Sequence, residues 1–160
     1  MNTLKKIILA ITVILFVSCG GNPNYETNLA TAQKLFELHG EEKLDEQLAL
    51  VSEDIKIYTP MYGSSEPMGY DVYASMLKGY HDNIEDIKYN AQAWLPGVDT
   101  LSLKPDGSVR TYGTWTGKNT ASGKNFEVLF YHYMTFDENG MIINGGDFGD
   151  ATGTVVAVSE

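Results

Sequence analysis

The feature that most constrains this chain is the unbroken alternation from Lys124 to Phe136. Phe126, Val128, Phe130, His132, Met134 and Phe136 share one parity, so one face of an extended segment is apolar along its whole length, as a strand with one buried face requires. Ile87–Leu95, Thr100–Leu103 and Ser108–Gly117 read as strands before it, and Met141–Phe148 as one after it. Pro105-Asp-Gly107, Asn119–Gly123 and Asp137-Glu-Asn-Gly140 read as the turns between them. Consecutive strands joined by short turns imply an antiparallel run, and strands of this length curl.

The N-terminal half carries a different period. Leu29, Ala32, Leu35, Phe36 and His39 recur at helical spacing over Asn28–His39, with Gly40 as a stop. Glu42–Val51 reads as a second helix, and Gly69–His81 as a third whose apolar face is Tyr70, Tyr73, Met76, Leu77 and Tyr80. Asp54–Tyr58 is a short strand ended by Thr59-Pro60, and Gly63–Pro67 is a loop. The small apolar residues from Ala151 onward are expected to pack weakly or fray. Helices followed by strands imply an α+β layer fold: a cone-shaped, curved, mixed or antiparallel sheet wrapped by about three N-terminal helices around a pocket.

Residues 1–18 precede this pattern and read as a signal peptide, with Lys5 and Lys6 ahead of an apolar run from Ile7 to Val17. That run is shorter than the roughly 20 residues a spanning helix needs. It ends in Phe16-Val17-Ser18-Cys19, which resembles a lipobox, and Cys19 is the chain's single cysteine. The resemblance implies a palmitate-type lipid on Cys19, a tether over 19–27, a domain over 28–152 and a tail over 153–160. It places the protein in the bacterial cell envelope, anchored to the membrane on the extracytoplasmic side. A lipidated cysteine leaves no thiol nucleophile and no disulfide. The formal charge is −10, and loss of the two lysines with the signal takes it to −12. With Arg110 as the only arginine, a phosphate-tracking surface is excluded, so nucleic acid is not an expected partner.

Several local strings, in order, resemble the SnoaL-like branch of the nuclear transport factor 2-like superfamily. They are Asp106-Gly-Ser-Val109, Trp115-Thr-Gly117, Ser122-Gly-Lys124, Tyr131-His-Tyr133 before Phe136-Asp137, Gly140-Met-Ile142 and Asp147-Phe-Gly-Asp150. The resemblance implies a curved sheet wrapped by three helices around a pocket, often in a homodimer, and no single activity. It also implies that Asp147 points into the pocket. On the last strand, residue parity leaves two sets open, Ile142, Asn144, Gly146 and Phe148 or Ile143, Gly145 and Asp147, and the resemblance favours the second. Limonene-type epoxide hydrolases carry an Arg and an Asp where this chain has Gly113 and Trp115, so that activity is not expected.

His132 is the one polar member of its strand's apolar parity, and a neutral imidazole there needs a partner or a cavity. His132 and Asp147 are therefore the expected catalytic pair, for general acid–base work. The structural alternative is that they satisfy each other inside the core, or that Asp147 caps a chain end. Tyr58, Trp115, Phe130 and Tyr80 are the expected ligand-binding residues, with Gly113 leaving room beside Trp115. Trp94 and Tyr112 suit either a pocket or a sheet face. His39, His81 and His132 lie far apart along the chain without metal-ligand spacing, so neither a metal nor a cofactor is expected. His81, late in its helix, reads as a charge facing the helix dipole. Three functions fit: binding of a small, largely apolar molecule, an isomerase or hydrolase acting through Asp147, or a partner-binding module whose pocket is filled by its own side chains.

Overall fold

The computed structural model describes residues 21–59, 65–150 and 152–159. The expected signal peptide 1–18, Cys19, Pro60, the first part of the Gly63–Pro67 loop and Ala151 lie outside the described residues. Helix α1 is Tyr25–Gly40 and α2 is Leu44–Leu48, followed by strand β1 (Val51–Tyr58) and helix α3 (Tyr70–Asn83). Strands β2 (Ile84–Val98), β3 (Pro105–Asn119), β4 (Asn125–Phe136) and β5 (Ile142–Gly149) come next, and α4 (Thr152–Val158) closes the order.

The sheet has the order β1-β5-β4-β3-β2. The β2–β3, β3–β4 and β4–β5 pairs are antiparallel, and β1 joins β5 in parallel. Helix α1 lies across β2 and β3, and α3 packs against β1 and β2. The helix period predicted for α1 puts Asn28, Ala32, Leu35 and His39 on its buried face. At the helix end, Gly40 lets the Ile87 carbonyl approach where a Cβ would sit 2.8 Å from its oxygen, which draws α1 onto β2. The core joins Ala32 and Leu35 of α1, Val51, Ile55 and Ile57 of β1, Tyr73 and Leu77 of α3, and Val109, Met134 and Ile142 of the inner sheet face. Each such aliphatic side chain contributes roughly 1.5–3 kcal/mol by leaving water.

Three local expectations change. The second helix is one short turn rather than Glu42–Val51, because Glu42 has φ +57° and Val51 already pairs with Ile142. Thr100–Leu103 is a turn and not a strand. The Asp99 carboxylate accepts the backbone N–H of Ser102 at 2.7 Å, and Leu103 donates to the Asp99 carbonyl at 2.8 Å. That local hydrogen bonding reverses the chain before Pro105-Asp-Gly107, which therefore enters β3 instead of turning. The tail forms α4 and docks on β3 and β4: Ala157 is buried, its carbonyl accepts from the Ser122 hydroxyl, and Lys124 Nζ donates to the Ser159 carbonyl at 2.7 Å.

The other face of the sheet is exposed and aromatic. Tyr112 and Tyr131 rings lie 4.9 Å apart, Tyr131 and Phe148 6.1 Å, and the Arg110 guanidinium sits 5.5 Å from the Tyr133 ring.

Candidate functional site

Helices α1, α2 and α3 and the concave sheet face enclose a cavity of about 380 Å³. This is within the range of small-molecule sites and far beyond the roughly 30 Å³ share of one water. The expectation of a pocket filled by its own side chains does not hold. Most of the wall is apolar: Leu35, Met76, Leu77, Phe126, Phe130 and Met134 are typical of it. The β4 alternation supplies Phe126, Phe130, His132 and Met134, while Val128, of the same parity, lies under Gly153 of α4.

Strand parity alone does not decide β5. The register between β4 and β5 shifts between Thr135 and Phe136, with Asn144 opposite Thr135 and Ile142 opposite Phe136. The irregularity lets Ile142, Gly145 and Asp147 all reach the cavity, and it sends Phe148 outward.

His132 and Asp147 are cross-strand partners in the β4–β5 ladder. Trp115 Nε1 donates to His132 Nε2 at 2.8 Å. An acceptor Nε2 on a neutral ring leaves the proton on Nδ1, the nitrogen 3.9 Å from Asp147 Oδ2. That distance is too long for a hydrogen bond. Burial pushes the His132 pKa down to about 3, with a further push from His39, so the ring is neutral at physiological pH. Burial pushes the Asp147 carboxyl up to about 6. The two side chains retain 13% and 26% exposure, so they face a hollow that solvent and small molecules can enter. The pair is therefore no ion pair. It is a neutral imidazole with a poorly solvated carboxyl beside it, close enough for one bound polar group to touch both.

The remaining predicted residues separate. Trp115, Phe130 and Tyr80 line the cavity. Tyr58 does not: Ile57 takes the inward position on β1, and Tyr58 is exposed on the side of Tyr133. Trp94 packs against Phe36, with ring centroids 5.6 Å apart, and Tyr112 stands on the outer face. Gly113 makes room for Tyr89, whose Cζ would lie 2.4 Å from an added Cβ. Tyr89 Oη is 3.0 Å from Thr111 Oγ1, and that hydroxyl donates to the Ala93 carbonyl at 2.9 Å, so Tyr89 is the donor to Thr111.

Sequence reasoning missed the role of Phe36. Its ring lies 4.7 Å from Tyr89, 5.2 Å from Trp115 and 5.1 Å from His132, and it holds the aromatic wall together. It also kept the histidines apart. His39 Nδ1 and His81 Nε2 form a 2.8 Å hydrogen bond, and His39 lies edge-on to Trp115 at 5.3 Å. Burial, reinforced by His81, pushes His39 down to about 4. The His81 pKa is also lowered, chiefly by burial, so His81 is a partner of His39 and not a free charge on the helix dipole. Gln47 of α2, buried and on the cavity wall, was also missed. Among the described residues, no three His, Cys, Asp or Glu side chains gather as a metal site would require.

No known family model matches the chain, and no curated protein matches it in sequence. Solved structures do. A candidate isomerase from Bacillus subtilis superposes with TM-score 0.69 at 15% identity, over 85% of this chain and 95% of that one. An NTF2-like protein from Burkholderia thailandensis gives TM-score 0.63 at 16% identity, over 83% and 98%. A candidate SnoaL-like polyketide cyclase from Shewanella denitrificans gives 0.66 at 12%, over 86% and 98%. At these identities the likeness concerns architecture alone. With its curved open sheet, helices on one face and cavity between the layers, the chain has the nuclear transport factor 2-like fold.

Proposed function

We propose that this chain binds a small, largely apolar ring compound in its cavity, with Asp147 and His132 orienting one polar group on it. The observation that carries this reading is the cavity itself: about 380 Å³ of mostly apolar wall holding a carboxyl with little solvation. The likeness to a candidate polyketide cyclase supports a small-molecule ligand. A thermal-shift screen with apolar ring compounds tests it. Occupation at one hundred times Kd stabilises by about 2.7 kcal/mol. No stabilisation by any compound at saturating concentration removes the reading.

Asp147 favours a second reading, general acid–base catalysis. A carboxyl with a pKa near 6 is mostly ionised at pH 7 and basic enough to take a proton from a carbon next to a carbonyl. Proton exchange of 2-tetralone in D2O, followed by NMR, is then accelerated by the protein, with a rate that rises through about pH 6 and levels off. Asp147→Asn abolishes that acceleration. An unaccelerated wild-type reaction leaves binding as the function.

A further inference from the structure

The β2–β3 hairpin ends in a tip whose residues the packing of the fold does not explain. The Asp99 N–H donates to the Lys104 carbonyl at 2.9 Å and closes the hairpin, and Leu101 and Leu103 lie beyond that bond. Leu101 is 93% exposed and Leu103 73%, more than any other large apolar side chain among the described residues. The tip is nevertheless rigidly built, since the Asp99 carboxylate and carbonyl accept the N–H groups of Ser102 and Leu103. Leu103 has φ +56°, a left-handed conformation that glycine or asparagine takes more easily. A bulky apolar side chain is thus held in a strained backbone position and presented to water, which points to a contact outside the chain.

The segment ahead of α1 sits at the same end of the molecule. Gly107 follows Leu103 by four residues, at most about 14 Å of extended chain. The Asn22 carboxamide rests on Gly107, with Oδ1 3.0 Å from where a Cβ would stand. The Asn28 side chain donates to the Gly107 carbonyl at 2.9 Å, and the Tyr25 N–H to the Asn22 carbonyl at 3.1 Å, so the start of α1 is pinned there. Cys19 is two peptide links from Gly21, at most about 7.6 Å along the chain. We propose that Leu101 and Leu103 dip into the lipid bilayer that holds the acyl chains of Cys19, so that the domain stands on the membrane at two points. This rests on the expectation of a lipid on Cys19 and is independent of what the cavity binds. Two leucines are too little apolar surface to hold a protein on a bilayer, but beside an acyl anchor they act at high local concentration and set the domain's orientation. Lys104, next to them, keeps its stem with the leucines and its charge among the headgroups. Asp99 and Asp106 are tied to the N–H groups of Ser102 and Ser108, so the contact is apolar insertion and not attraction to anionic lipid.

The test uses the full lipidated chain in phosphatidylcholine vesicles that carry a spin-labelled lipid as a shallow quencher. A nitrobenzoxadiazole label is attached at Thr100→Cys on the tip, or at Ala121→Cys in the turn at the other end of β3. The Thr100→Cys label is expected to lose most of its fluorescence to the quencher, and the Ala121→Cys label to lose none. Leu101→Ser together with Leu103→Ser should abolish the loss at Thr100→Cys, while the protein still floats with the vesicles and melts as the wild type does, because both leucines are exposed. An unquenched tip label on a protein that floats overturns the assignment and leaves the lipid on Cys19 standing. Equal quenching of the two labels, or quenching that survives the serine replacements, overturns it as well. A chain that does not float with the vesicles removes the anchor reading, and the tip assignment falls with it.

Discussion

At the scale of single residues, the site is governed by what burial does to three titratable groups. Asp147 has a raised pKa in the fold, so between its unfolded value near 3.9 and its folded value of about 6 the native state holds the extra proton. Its contribution is present at low pH and is lost as pH rises through about 6. Asp147→Asn is therefore expected to raise stability at pH 8 by about 2–3 kcal/mol and to change little at pH 4. Thermal melts at the two pH values check this, and an equal effect at both would show that the carboxyl is well solvated. His39 and His132 have the opposite sign. Their pKa values fall to about 4 and about 3, so their contribution is full above pH 6.5 and is lost as pH drops toward those values. Trp115→Phe strands the His132 Nε2 acceptor and is expected to cost about 1–3 kcal/mol. Nitrogen-15 NMR should show His132 in the Nδ1–H form at pH 7, and an Nε2–H ring would contradict the Trp115 hydrogen bond.

At the scale of elements, most of what was legible came from period. The β4 alternation marked the side chains that face inward, and the helical spacing of Ala32, Leu35 and His39 marked the buried side of α1. Period failed where backbone hydrogen bonds are rearranged locally. Asp99 takes the turn expected at Pro105–Gly107, and the β5 irregularity brings residues of both parities inward. The tail offered no period at all, since Thr152–Val158 is short and uniformly small or apolar, yet α4 covers the end of β4. Ala157→Asp is expected to cost roughly 2–4 kcal/mol by burying an unpaired charge beneath α4. Denaturant unfolding checks it, and a neutral result would mean that α4 does not stay docked. Gly113→Ala drives a methyl into the Tyr89 ring and is expected to cost about 1–3 kcal/mol by the same measurement.

At the scale of the whole molecule, we retain two proposals. Lipidation at Cys19 predicts that the native protein partitions into detergent and takes up an alkyne-labelled palmitate, and that Cys19→Ala does neither; label retained by Cys19→Ala would place the lipid elsewhere. The outer sheet face exposes Tyr112, Leu129 and Phe148 around Tyr131, and we propose that a second copy of the chain covers it. Light scattering on the protein lacking residues 1–19 should then give twice the monomer mass, and a monomer at high micromolar concentration rejects the dimer.

The amino-acid order alone was enough for the layer type and the inward face of β4, because alternation and helical spacing are local; parity left both sets of the last strand open, and the expectation that Asp147 turns inward beside His132 came from the family resemblance. The order was not enough for the Phe36 aromatic cluster, the His39–His81 bond or the buried Gln47 carbonyl. Each of these joins segments far apart along the chain, and the distance between such segments is set by how α1, α2 and α3 pack against the curved sheet, a geometry that no local pattern encodes.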